Sequence, residues 1–166
     1  MNPFAINLPV TIDDFDPVVS YSNQWQWTTP DPSAPDFVVT DEFWQGTYHS
    51  TNAVGATAFI LFTGTLCFVA PVTRNPNLGI GSEIEVYGRK GPTYGSFSVT
   101  LDRNITEHTA FDRVNSTNST LLFSATNLTY DRHALILTNL GPKTTDEGSS
   151  FLLDYVKWRF EAAPAG

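Results

Sequence analysis

Cysteine, histidine and charge are all scarce in this 166-residue chain. A single cysteine, Cys67, excludes an internal disulfide and any cysteine-rich metal cluster. Set in Leu66-Cys67-Phe68-Val69, it reads as an inert buried thiol. His49, His108 and His133 share no short spacing with one another or with Cys67, so they form no metal motif. Charged residues reach only 16%, with 9 basic against 17 acidic and a net charge of −8. Nucleic-acid phosphates and anionic membranes would repel such a surface, which argues against both as partners. There is no Gly-x-Ser-x-Gly elbow and no phosphate-gripping glycine loop. The expectation is a non-enzyme with no cofactor of its own. Met1-Asn2-Pro3-Phe4 lacks the basic and long apolar parts of a secretory leader, as in a cytoplasmic protein or a mature secreted form.

Helix patterning is missing as well: no window shows an amphipathic period with start and stop signals at both ends. Val, Ile, Thr, Tyr, Phe and Trp supply 62 residues against 44 for the stronger helix formers, a balance that favours sheet. The length suits one domain, 1–166, able to bury a core without metal or disulfide. Its opening, 1–17, is acidic and proline-spaced and reads as irregular. The stretch 28–36 holds three prolines and reads as a surface loop.

Short alternating runs make up the rest. Strands are predicted at 18–21, 47–50, 56–63, 66–70, 82–88, 94–101, 120–125, 133–140 and 150–160. Residues 54–72 carry no charge, but Gly64-Thr65 divides the run and Pro71 closes it, so two strands explain it better than a membrane span. In 56–63 both faces are largely apolar, as in a central strand crowded by loops or a partner. Strands at 8–15-residue spacing with turn residues between them indicate an all-β antiparallel sandwich of jelly-roll or immunoglobulin-like type.

Four sequons fall within 26 residues, at Asn104, Asn115, Asn118 and Asn127, and point to an exposed, N-glycosylated face in a secreted protein. That region otherwise reads as turns and strand ends. Trp25, Trp27, Trp44, Tyr48 and His49 lie in loops or strand ends of the first third and are candidates for a ligand or partner surface, since such rings stack on sugars or anchor protein interfaces. Asp13, Asp14 and Asp16 offer clustered oxygens to a hard structural cation, without matching a calcium-loop spacing. Asp154 shares an alternation face with Leu152, Val156 and Trp158. If that face is buried, the carboxylate needs a partner, with His133, Arg132 or backbone N–H groups as candidates.

In order along the chain stand Ile12-Asp13-Asp14, Val19-Ser20-Tyr21, Gly46-Thr47-Tyr48-His49, Ala56–Thr65, Val99–Asp102, His133–Asn139 and Phe151–Val156. This series resembles the galactose-binding-like jelly-roll domains of basidiomycete secreted and surface proteins. A free-standing copy of this size is also similar to the small, non-catalytic subunit of heterodimeric fungal laccases. That resemblance implies an accessory chain that binds and stabilises a larger secreted oxidase. Three histidines are too few for a multicopper centre, so copper is expected only in the partner. The alternative is an extracellular module that binds cell-wall or plant polysaccharide.

Overall fold

The computed structural model describes residues 8–30, 42–63, 82–129 and 131–160. Among them ten strands form: β1 (Leu8–Asp13), β2 (Val19–Tyr21), β3 (His49–Thr51), β4 (Thr57–Thr63), β5 (Ser82–Gly88), β6 (Ser96–Leu101), β7 (Asn104–Thr109), β8 (Thr120–Leu128), β9 (Arg132–Gly141) and β10 (Phe151–Phe160). They pair antiparallel in two sheets. The first runs β1-β10-β5-β8, with β3 also pairing β10; the second runs β2-β4-β9-β6-β7. The architecture is an all-β jelly-roll sandwich. No described helix is long and apolar enough to cross a membrane.

The core follows from the period-2 alternation. Ala58, Ile60 and Phe62 of β4 and Leu135 and Leu137 of β9 point inward from the second sheet. Ile84 and Val86 of β5 meet them from the first. Phe97 of β6 packs on Phe151 of β10 with ring centroids 5.0 Å apart. On the outer side of β4, Leu61 stays 44% exposed, so that strand is apolar on both faces, as its sequence predicts.

Two readings need correction. The opening is not irregular through residue 17, because β1 occupies 8–13 and pairs along β10. Val10 and Ile12 supply its inward side. Pro9 is tolerated because β1 is an edge strand, where a missing N–H breaks no ladder. The second correction is β7, which falls where turns and strand ends were read and no strand was predicted. Its alternation is hidden by polarity: Ile105 and Glu107 face solvent, while His108 turns inward on Phe97 and Phe123. The strand predicted at 66–70, Cys67 and most of the proline-rich loop lie outside the described residues.

His133 shows how a polar side chain is accommodated beside this core. Its Nδ1 lies 2.8 Å from Asp102 Oδ2 and its Nε2 lies 2.8 Å from the Thr129 carbonyl. Both oxygens only accept, so the two bonds together favour the doubly protonated, charged ring. Burial opposes that charge, but the bonds to Thr129 and Asp102 outweigh it and raise the His133 pKa. A raised folded pKa gives stability that is complete below the unfolded histidine value, about 6.5, and is lost as pH climbs through the folded value. Asp102→Asn keeps the left-handed turn (φ 57°) and an acceptor for Ala134 N–H. It is expected to cost about 1 kcal/mol at pH 6 and almost nothing at pH 9, measured by urea unfolding.

Candidate functional site

At one edge of the sandwich, the turn between β1 and β2 crosses from one sheet to the other. Backbone bonds fold it tightly: Asp16 N–H donates to the Asp13 carbonyl at 3.0 Å and Val19 N–H to the Asp16 carbonyl at 2.8 Å. The Asp16 carboxylate accepts from Val18 N–H at 2.9 Å, an Asx-type closure. Together with Tyr21, Gln24, Trp27, Thr29 and His49, this turn lines an open cleft of about 600 Å³.

The cleft is aromatic. The Tyr21 ring stacks on His49 at 4.0 Å, the rings inclined by 11°. Phe15 leans over His49 at 4.6 Å and is 51% exposed. Trp27 closes the inner end against Tyr21 at 4.8 Å, and its indole N–H donates to the Ser22 carbonyl at 3.2 Å. The Tyr21 hydroxyl donates to the Asp14 carbonyl at 2.8 Å, which ties the second sheet to the turn.

Behind this wall sit three carboxylates, Asp13, Asp14 and Asp154, each offering an oxygen within 4.8 Å of the others. Asp14 and Asp154 are buried. Asp14 is bonded to His49 Nδ1 at 2.6 Å and accepts from Thr47 Oγ1 at 2.8 Å. A hydroxyl has one proton, so the two 3.3 Å approaches of the same Thr47 oxygen to Asp13 leave Asp13 poorly satisfied. Asp154 accepts from Trp44 N–H at 3.0 Å and from the Ser119 hydroxyl. Burial first, then the negative charge of Asp14, pushes Asp13 up to about 6. Burial, reinforced by the charges of Asp14 and Asp13, raises Asp154 to about 6 against the bonds from Ser119 and Trp44. All three carboxylates are hard oxygen donors, a set that fits a Ca²⁺-like cation rather than one seeking sulfur or imidazole.

Asp154 reaches this position through a β-bulge. The β10–β5 register shifts between Leu153 and Tyr155, which puts Asp154 opposite no partner of its own. Leu153, Val156 and Trp158 join the main hydrophobic cluster, whereas Leu152 and Asp154, though buried, lie outside it. The bulge therefore breaks the face that Asp154 was expected to share with Val156 and Trp158. Its partners are Trp44 and Ser119, not His133 or Arg132. Gly88, at the end of β5, allows the approach: a Cβ there would lie 2.0 Å from the Leu152 carbonyl oxygen.

The aromatic set expected from sequence is dispersed. Trp27 and His49 line the cleft. Tyr48 packs on Phe43 at 4.6 Å, and Trp44 lies against Tyr155 at 5.7 Å, 42% exposed, on the outer side of the first sheet. The Trp25 side chain lies outside the described residues. Phe15 and Tyr21 complete the cleft in their place. The exposed ring between two aspartates in Asp14-Phe15-Asp16 was the available signal for Phe15. Asp16 lines the cleft but stands apart from the carboxylate group, where Asp154 replaces it.

No protein-family model matches the sequence, and no curated protein matches it. Among solved structures, the chain is similar to a family 35 carbohydrate-binding module from Clostridium thermocellum. Identity is 16%, the TM-score is 0.52, and 93% of this chain is aligned with 99% of that one. It is also similar to part of an exo-β-1,3-galactanase from Phanerochaete chrysosporium (10% identity, TM-score 0.52, 90% of this chain, 29% of that one). A third likeness is to part of the insecticidal crystal protein Cry2Aa (12% identity, TM-score 0.54, 90% of this chain, 21% of that one). The chain thus spans less than a third of the two larger proteins. At these identities the likeness establishes the jelly-roll fold, the fold of a carbohydrate-binding module and of a toxin segment alike.

The carboxylate group has a testable signature. With a chelator present, a carboxyl whose folded pKa is raised holds its proton where the unfolded chain has lost it. Stability should therefore fall as pH rises from about 4 to about 6. Asp13→Asn removes one charge from the trio and should flatten that decline, raising Tm at pH 7 by roughly 2–4 °C in calorimetry. An unchanged slope would show that Asp13 is not held protonated by the folded structure.

Proposed function

We propose that this chain is a non-catalytic carbohydrate-binding module, extracellular in location, whose cleft at the β1–β2 turn holds a glycan of a cell-wall or plant polysaccharide. The observation that carries this reading is the half-exposed Phe15 ring, set over His49, itself stacked on Tyr21, at the mouth of an open, polar-rimmed groove. A sugar ring has one apolar face, which stacks on such an aromatic, and an equatorial belt of hydroxyls. Asp16, Gln24 and Ser20 supply acceptors and donors around that belt. The likeness of the fold to a family 35 carbohydrate-binding module supports the same class.

Charge narrows the ligand. Among the described residues the lining holds two aspartates and neither lysine nor arginine, in a chain of net charge −8. Such a groove favours neutral sugars and repels uronates. An accessory role beside a larger secreted oxidase finds no support in the structural likenesses.

Calorimetric titration with neutral oligosaccharides tests the proposal. Binding is expected to weaken about tenfold in Phe15→Ala, the ~1.4 kcal/mol scale of one aromatic stacking contact. Trp44→Ala, on the outer side of the first sheet, should bind as the unaltered chain does. No binding across a broad neutral panel, or full affinity in Phe15→Ala, would overturn the assignment.

A further inference from the structure

The edge of the sandwich opposite the cleft carries a different pattern. There β7 ends the second sheet and β8 ends the first, and the two meet where His108 abuts Phe123 at 5.3 Å. Among the described residues each terminal strand has no neighbour on its outer side, which leaves a row of N–H and C=O groups of the kind on which chains associate edge to edge. Exposed aliphatic side chains compound the exposure: Ile105 is 66% exposed, Val114 73% and Leu121 40%.

The four sequons coincide with this edge, and all four asparagines are exposed. Asn104 opens β7, directly before Ile105, and lies four residues before His108. Asn127 lies near the end of β8, four residues after Phe123. Asn115 and Asn118 occupy the connection between the two strands, the first beside Val114 and the second three residues before Leu121. Asn115 rests its side chain on the Gly91 backbone, so closely that a Cβ at Gly91 would lie 2.2 Å from its Oδ1. Asn118 is the less encumbered member of that close pair.

We infer that Asn104, Asn118 and Asn127 carry N-linked glycans, and that these cap the open β7 and β8 edges and their exposed aliphatic residues. An attached glycan is bulky and strongly hydrated, so it blocks strand addition sterically while leaving the backbone in place. Asn104 and Asn127 stand on strands of the edge opposite the cleft, which opens beside β1, β2 and β3; Asn118 is nearer to it, since its neighbour Ser119 bonds Asp154. This inference is independent of what the cleft binds.

Peptide mapping of the protein purified from its producing organism tests it, after treatment with peptide N-glycosidase in ¹⁸O-labelled water. The label is expected at Asn104, Asn118 and Asn127 and not at Asn115; recovery of the three as unmodified asparagine would overturn the proposal. Sedimentation velocity before and after native deglycosylation tests the capping. Loss of monomer with rising concentration is expected only after the glycans are removed, and Ile105→Glu should restore the monomer. A deglycosylated chain that stays monomeric throughout would refute the capping role.

Discussion

Burying the carboxylate of Asp154 imposes a demand that the surrounding structure is arranged to meet. A charge taken out of water needs hydrogen-bond donors, a counter-charge or a proton. The bulge in β10 turns Asp154 away from the core and towards Trp44 N–H and the Ser119 hydroxyl, which fastens two connecting segments to the outer side of the first sheet. Asp14 answers the same demand with Thr47 and His49. That bond fixes the imidazole on which Tyr21 and Phe15 are set. The geometry of the cleft is therefore inherited from the carboxylate group behind it.

The alternation of apolar residues made most of the fold legible. Ala58, Ile60 and Phe62, Ile84 and Val86, and Phe97 and Val99 all face the core as their period predicts. The two misread segments, β1 and β7, failed for one reason. Both are edge strands, where Pro9 is harmless and solvent-facing residues blur the pattern. A bulge is harder to foresee, since it depends on which residue of β5 stands opposite. Strict alternation therefore placed Asp154 on the wrong face.

The candidate site was legible in its parts but not in its assembly. Trp27, His49, Asp13 and Asp14 could be singled out by residue type. Sequence separation hid that Tyr21 would stack on His49 and that Asp154 would complete the carboxylate group. Aromatic count alone misled, because Trp44 and Tyr48 serve the packing of the 42–48 segment against the first sheet rather than the cleft. A shared jelly roll does not decide among binding roles, and the chemistry of this edge has to do so. The two edges of the sandwich differ in kind: one is an aromatic groove backed by carboxylates, the other a sequon-bearing margin.

The central claim is that the groove over His49 is where this chain meets a sugar. Amide chemical-shift mapping of the labelled protein, titrated with a neutral oligosaccharide, addresses it most directly. The account requires the perturbed amides to cluster at residues 14–29 and 47–51. Shifts centred instead on Trp44, Tyr87 and Tyr155, or an unchanged spectrum at saturating sugar, would contradict it.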